Sequence, residues 1–174
     1  MKKLLIVLFI FWGAIGLTAC TGALYGRNGT ALSDEDIAND RMTEIIEAIE
    51  NKDQEKMKEI LARNTISSVK DIEIQIENLL EYYKGEFVSY ENVGGPTVYQ
   101  NHDEGNTRIE FELSYVIITT SKTYQIAIQD VVMDDFDRDN EGVTYIYIKE
   151  IKEYNENQEA YWGDSEPKVG IYLR

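Results

Sequence analysis

The chain has 174 residues, of which 17 are Lys or Arg and 32 are Asp or Glu, so its formal net charge at pH 7 is −15. Such an acidic surface repels phosphate groups, which argues against nucleic acid as a partner. The single cysteine excludes an intrachain disulfide, and a hydrophobic content of 43 % is typical of a globular domain rather than a disordered chain.

The first twenty residues are organised like a secretory signal. Residues 1–3 (MKK) are basic and precede an apolar stretch at 4–17, which is short for a membrane span but has the length of a signal-peptide core. The following motif, LTAC at 17–20, resembles the lipobox of bacterial lipoproteins. The resemblance implies that a diacylglyceryl group is attached to the Cys20 thiol and that the chain is cut after Ala19. Two acyl chains would then hold the protein stably on the extracytoplasmic face of the cell membrane. The alternative is an uncleaved signal anchor with a coincidental cysteine.

The remainder divides into a tether and one domain. Residues 21–32 are Gly-rich and polar and show no periodicity, which predicts a flexible segment. We therefore expect a signal peptide at 1–19, the lipidated Cys20 with its tether at 20–32, and a single domain at 33–174.

Three helices are predicted in the first part of the domain. Ser33 is an N-cap candidate before an acidic first turn, and the first helix runs to about Glu50. Asp53 caps a short second helix, which ends at 63–65. The third helix is the most regular and ends before Gly85, a candidate for the C′ position. The apolar positions of the three helices are Ile37, Met42, Ile45, Ile46 and Ile49, then Met57, Ile60 and Leu61, then Val69, Ile72, Ile76, Leu79, Leu80 and Tyr83.

After Gly85 the apolar period changes to two, which predicts β-strands joined by tight turns. The strand at 143–151 is apolar on both faces and is therefore expected to lie centrally. An acidic loop at 134–142 precedes it. The expected strands are 86–93, a short one at 97–100, 107–120, 123–133 and 143–151, with an edge strand or fold-back at 169–173.

Helices followed by strands predict an α+β domain whose helices cover one face of a sheet. Over residues 33–154 this order is similar to that of nuclear transport factor 2-like and cystatin-like domains. Together with the lipobox, it resembles the small secreted lipoproteins of Gram-positive bacteria. The resemblance implies a cone-shaped fold, with three N-terminal helices packed on a curved antiparallel sheet of four to six strands and a cavity at the open end. Because that fold hosts enzymes, pore-associated subunits and binding modules, it does not select a function.

Asp130 is the first candidate for a functional residue. Counting by twos from Tyr124 places it on an otherwise apolar strand face, where burial without a partner would raise the pKa of its carboxyl. The alternative is a bulge or strand end that turns it towards water. Tyr and Trp side chains also make good binding surfaces, so the ligand-binding candidates are Asp130, Tyr115 and Trp162, although most of the tyrosines are expected to pack in the sheet.

The acidic loop is a second candidate. From Asp137 onward it matches the first six positions of an EF-hand loop, but the twelfth position is Ile148 and the chain enters a strand. Asp135, Asp137, Asp139 and Glu141 form a candidate calcium site, against the simpler interpretation of a turn-forming hairpin connection.

His102, the only histidine, falls in a polar turn where solvated residues are expected, so an acid–base role is not favoured. One histidine and a lipidated cysteine exclude a three-histidine or cysteine-bearing zinc site. No cofactor is expected.

The favoured hypothesis for function is a non-enzymatic, lipid-anchored binding or interaction domain whose partner is a small ligand, an envelope component or a protein. One rival is an enzyme of the same fold that uses Asp130 in a cavity, with His102 as a further candidate. Another is an immunity or accessory lipoprotein of a secreted toxin or membrane complex. Substitution of Asp130 or His102 separates the first two, because it abolishes function only in the enzyme.

Overall fold

The computed structural model describes residues 32–151 and 168–173. The signal peptide, Cys20 and most of the tether, predicted within residues 1–31, lie outside the described residues, as does Trp162. All described helices and strands lie within one compact unit, Ser33–Arg174.

The first helix, α1 (Asp34–Glu50), begins where the sequence predicts because Ser33 closes a capping box. The Asp36 N–H donates to Ser33 Oγ at 3.1 Å, and the Ser33 N–H donates to the Asp36 carboxylate at 3.1 Å. The buried residues of α1 are Ala38, Met42, Ile45, Ile46, Ala48 and Ile49. These residues form the apolar stripe by which α1 packs into the core.

Residues 32–86 contain four α-helices rather than the three predicted. The second helix, α2 (Gln54–Ile60), is followed by a short α3 (Arg63–Ser68), because the chain is extended at Leu61 and Ala62 and then becomes helical again. The Ala62 N–H donates to the Val143 carbonyl at 3.0 Å. A contact with the sheet therefore fixes the break, and the polar residues 63–65, predicted as the breaker, begin a new helix.

The last helix, α4 (Ile72–Tyr82), starts later than its apolar pattern predicts, because Val69 is the extended C-cap of α3. It also ends before Gly85, since Tyr83 is already extended. Gly85 is thus not a C′ residue. Its φ is +87°, and a Cβ there would lie 2.6 Å from the Thr119 hydroxyl oxygen. Glycine is therefore required because the backbone passes close to the hairpin turn that begins at Thr119.

Among the residues that the structure describes, five strands form one sheet in the order β1-β2-β3-β4-β5. Their ranges are β1 (Phe87–Asp103), β2 (Asn106–Thr119), β3 (Thr123–Asp134), β4 (Gly142–Ile151) and β5 (Gly170–Leu173). The first four pair antiparallel, whereas β5 runs parallel to β4. The sheet is therefore mixed, which corrects the antiparallel prediction. β4 pairs with β3 on one side and with β5 on the other, so it is not an edge strand, as its two apolar faces predicted.

β1 is one continuous strand, although residues 94–96 (GGP) predicted an end and a second short strand. Three register shifts against β2, all between Phe87 and Thr97, let the pairing continue through this segment. Such bulges bend an edge strand without ending it, and edge strands tolerate Gly and Pro better than central ones.

One face of the sheet packs against the helices and forms the main core. The buried residues of β2, β3 and β4 on this face are Ile109, Phe111, Leu113, Tyr115, Ile117, Tyr124, Ile126, Ile128, Val143, Ile146 and Ile148. They form one cluster with the buried faces of α1, α2 and α4. Intervening residues of the same strands point to the opposite face. A candidate functional residue in these strands therefore lies either on the face that packs against the helices or on the opposite face.

Candidate functional site

Asp130 faces the helices and is buried. Its ladder partners Phe111 and Val143 both belong to the core, and the residue is only 1 % exposed. A register shift does lie between Gln129 and Asp130, but it does not turn the carboxyl towards water. The Asp130 Oδ2 accepts a hydrogen bond from Arg41 Nε at 2.8 Å, and Arg41 Nη1 donates to Glu44 at 2.6 Å. Sequence reasoning found this carboxyl but missed its cation on α1.

Burial dominates the electrostatics of the Asp130 carboxyl. It raises the pKa of Asp130, and Arg41, which acts in the opposite direction, does not fully compensate. The second oxygen, Oδ1, has no hydrogen-bond partner among the described residues. For Arg41, burial alone would lower the pKa, but the carboxylates of Asp130 and Glu44 raise it overall. The three side chains thus form a charge cluster that runs from the buried Asp130 through the half-buried Arg41 to Glu44, whose side chain is 41 % exposed.

Tyr115 lies on the same sheet face but under the other flank of α1. It is fully buried, and its hydroxyl donates to Asn39 Oδ1 at 3.2 Å. Its ring meets Tyr90 edge to face, with centroids 5.4 Å apart. Since Asn39 and Arg41 lie on opposite sides of the buried stripe of α1, the structure does not bring Tyr115 and Asp130 into one site.

An accessible groove lies between the C-terminal half of α1 and the start of β1. We call it the α1–β1 groove. Its volume is about 370 Å³, and its lining residues are Thr43, Ile46, Glu47, Glu50, Asn51, Phe87 and Tyr90. The rings of Phe87 and Tyr90 are 6.2 Å apart, and the Phe87 N–H donates to Glu50 Oε2 at 3.1 Å. The groove therefore combines an aromatic floor with an acidic wall.

Sequence reasoning missed the α1–β1 groove because of a β-bulge. Residues three apart in a regular strand point to opposite faces, yet Phe87 and Tyr90 pair with Thr119 and Ile117, which face the helices. The register shift between Phe87 and Ser89 makes this alignment possible. Only the spacing of two aromatic residues near the start of a predicted strand hinted at it.

In the acidic loop, Asp134 acts as the organising side chain. It is 1 % exposed and accepts hydrogen bonds from the N–H groups of Phe136 (3.0 Å) and Asp137 (3.1 Å), from the Asn140 amide (2.9 Å) and from Arg108 (3.1 Å). Burial alone would raise the pKa of Asp134, but these donors lower it overall. The loop is thus built by its own hydrogen bonds and includes a 3-10 turn at Arg138–Asn140.

The four calcium candidates make separate contacts. Asp135 accepts from the Thr107 N–H and Glu141 from the Asp134 N–H. The other two reach α3, Asp137 through Asn64 (2.9 Å) and Asp139 through Arg63 (3.3 Å). Across residues 32–151 and 168–173, no three His, Cys, Asp or Glu side chains are grouped so that they could hold a metal ion. These contacts favour the turn interpretation of the loop.

His102 lies near the exposed end of β1, with Nδ1 3.1 Å from Thr107 Oγ1. It lines neither the α1–β1 groove nor a second, more polar groove of about 340 Å³ beside the β2–β3 turn. That second groove is crossed by an ion pair between Lys122 and Glu150 at 2.6 Å. Neither groove contains Asp130.

The sheet face opposite the helices holds buried polar groups. Ser114 Oγ, Gln125 Oε1 and Tyr145 OH lie on this face and have no hydrogen-bond partner within the described part of the chain. Burial also raises the pKa of Tyr145. Each such group costs free energy in the folded state, so they are candidates for stabilising substitutions.

Within the described part of the chain, the fold and site define a class, an α+β domain in which four helices pack on one face of an open five-stranded mixed sheet. More specifically, the chain belongs to the family described as Domain of unknown function (DUF5104), which matches residues 44–156. The match includes Asp130 and every residue that lines the α1–β1 groove except Thr43. A comparison with curated proteins finds no match. No helix among the described residues is long and apolar enough to span a membrane.

Proposed function

We propose that the protein is a lipid-anchored binding domain on the extracytoplasmic face of the cell membrane. The anchor is a diacylglyceryl group on Cys20, and its support is the LTAC motif at 17–20 behind an apolar stretch of signal-peptide length. Helices followed by strands and packed on one sheet face support a relation to nuclear transport factor 2-like and cystatin-like domains, a fold that includes binding modules.

The α1–β1 groove carries the proposal. Its volume of about 370 Å³ falls within the range of about 300–1,000 Å³ that is usual for ligand sites. Phe87 and Tyr90 supply apolar contact area, and Glu47 and Glu50 supply converging charged groups at the same opening. An apolar surface with a few placed polar groups is the usual composition of a binding site.

The enzyme alternative depends on Asp130, and its surroundings favour a structural role. The carboxyl is 1 % exposed, is held by Arg41 at 2.8 Å and lines neither groove. A general acid or base must reach the proton that it transfers. A domain that binds through the α1–β1 groove therefore accounts for the observed geometry more simply.

The anchor is tested by mass spectrometry of the protein purified from its native host. The N-terminal peptide should begin at a diacylglyceryl-modified Cys20, and a Cys20→Ser variant should leave the membrane fraction. An unmodified thiol behind an intact Met1 would contradict the proposed location.

The groove is tested by site-specific cross-linking in living cells. A photoreactive phenylalanine analogue is placed at Tyr90 or, as the matched control, at Tyr99, which lies on the same strand, is 51 % exposed and does not line the groove. We expect a defined adduct from position 90 and much less from position 99. Equal yields, or no adduct at either position, would count against binding at this groove.

A further inference from the structure

The helix that forms one wall of the α1–β1 groove carries an uncompensated acidic stripe. Asp36, Asp40, Glu47 and Glu50 are all exposed and follow helical spacing on one flank of α1. The only basic residue of α1 is Arg41, which is already paired with Asp130 and Glu44. The stripe therefore has no cation of its own helix to neutralise it.

The rest of the described chain does not neutralise the stripe either. Among residues 32–151 and 168–173, no Lys or Arg nitrogen lies within 4.0 Å of the carboxylate of Asp40, Glu47 or Glu50. Glu50 is held in place by the Phe87 N–H at 3.1 Å. The Phe87 N–H carries no formal charge, so this hydrogen bond orients the Glu50 carboxylate towards the groove without pairing it with a cation.

Beneath this charge the surface is apolar. Ile46, Phe87 and Tyr90 form the floor, and Tyr90 is supported from behind by the buried ring of Tyr115. This floor lies beside Glu47 and Glu50 within one opening. The acidic wall favours a cationic occupant, and the aromatic floor favours an apolar one. The groove therefore fits an occupant that is cationic and partly apolar.

We propose that the α1–β1 groove binds a basic, amphipathic peptide segment of a partner protein. An apolar side chain of the segment packs against Phe87 and Tyr90, and flanking Lys or Arg side chains pair with Glu47 and Glu50. This assignment rests on the proposed function, because it names the chemistry of the partner that occupies the same groove. It also explains why the wall of the site is acidic while its floor is aromatic.

The test uses fluorescence anisotropy with the protein purified from its host. The probes are labelled peptides of equal length that alternate Lys with Leu, Lys with Ser, or Glu with Leu. We expect binding of the Lys–Leu peptide only, weakening as NaCl rises from 50 to 500 mM because exposed charges are screened. Tyr90→Ala should weaken binding about tenfold, the usual effect of removing a central aromatic contact.

Charge variants separate the partner class from the groove itself. Glu47→Lys should weaken Lys–Leu binding about fivefold. The matched control Glu77→Lys changes the net charge equally on an exposed position of α4 and should change binding less than twofold. Melting temperatures of all variants show whether each remains folded. Because Glu47 is exposed, Glu47→Lys tests the role of charge independently of Tyr90.

Each other outcome has a distinct meaning. If the Glu–Leu peptide binds as tightly and Tyr90→Ala still weakens it, the basic-partner proposal fails while binding at the groove stands. If the Lys–Ser peptide binds as tightly as the Lys–Leu peptide and Tyr90→Ala changes neither affinity, the binding is non-specific electrostatic attraction and the proposal fails. Self-association abolished by Tyr90→Ala would assign the groove to a second copy of the chain and overturn the basic-peptide assignment. If Tyr90→Ala changes the affinity for none of the peptides, the assignment of a basic peptide to the groove fails. The proposed function is tested separately, because it fails if the photoreactive analogue at position 90 forms no adduct in cells.

Discussion

Removal of Arg41 should be the most damaging single change on the surface of α1. The Asp130 carboxyl is 1 % exposed, and Arg41→Met removes its only hydrogen-bond donor among the described residues, while its Oδ1 already lacks one there. Breaking a buried ion pair by deleting one partner costs about 3 to 5 kcal/mol. For a domain of this size, about 3 kcal/mol corresponds to a fall in melting temperature of about 10 °C.

The loss should depend on pH in a defined direction. Burial raises the pKa of Asp130 in the folded protein, so the contribution of this group to stability is greatest below the ordinary carboxyl pKa of about 3.9 and falls as pH rises through the folded pKa. Without Arg41 only the influences that raise this pKa remain. The difference in free energy of unfolding between wild type and variant should therefore be largest at pH 7 and shrink towards pH 4.

Urea unfolding at pH 4, 5.5 and 7 measures this difference. Arg63→Met is the matched control, because the Arg63–Asp139 pair has side-chain exposures of 84 % and 53 % and should contribute less than about 1 kcal/mol. A cost for Arg41→Met no larger than that of the control, or one that does not change with pH, would refute the burial argument.

Three further predictions concern stability. Gly142 has a φ of +119°, and a Cβ there would lie 2.8 Å from the Ala62 nitrogen. Gly142→Ala should therefore lower the free energy of unfolding in urea by about 2 kcal/mol or more, against about 1 kcal/mol for Gly105→Ala, where space is open. Equal costs would contradict this. Tyr145→Phe removes a buried hydroxyl that has no hydrogen-bond partner within residues 32–151 and 168–173, and it should raise stability by up to about 1 kcal/mol in calorimetry; a clear loss would contradict it. Asp134→Asn should cost about 2 kcal/mol at pH 7. Because donors lower the Asp134 pKa, that difference should decrease as pH falls below the ordinary carboxyl pKa of about 3.9 towards the lowered one, and thermal melts in steps from about pH 7 to about pH 2 check this.

Much of the fold could be predicted where one periodicity is sustained. The ranges of α1, β2, β3 and β4 lie within one or two residues of the expected ones, because each keeps one buried face along its whole length. Elements set by long-range contacts could not be predicted. α3 exists because Ala62 bonds to Val143, and the direction of β5 depends on how the chain returns from β4.

The site follows the same division. Alternation correctly placed Asp130 on the helix-facing side, but its partner Arg41 is 89 residues away in sequence, and nothing local pairs them. The α1–β1 groove was missed because a bulge reverses the expected facing of Phe87 relative to Tyr90. A bulge changes the register without a strong signature in residue type, so the groove became visible only in three dimensions.

The central claim is that the α1–β1 groove binds while the Asp130 cluster supports the fold. The most direct measurement compares the affinity of the Lys–Leu peptide for Asp130→Asn and for Tyr90→Ala at a temperature where both are folded. We predict that Asp130→Asn melts several degrees lower yet binds with wild-type affinity, and that Tyr90→Ala binds about tenfold more weakly. Loss of binding in Asp130→Asn with unchanged affinity in Tyr90→Ala would contradict the account.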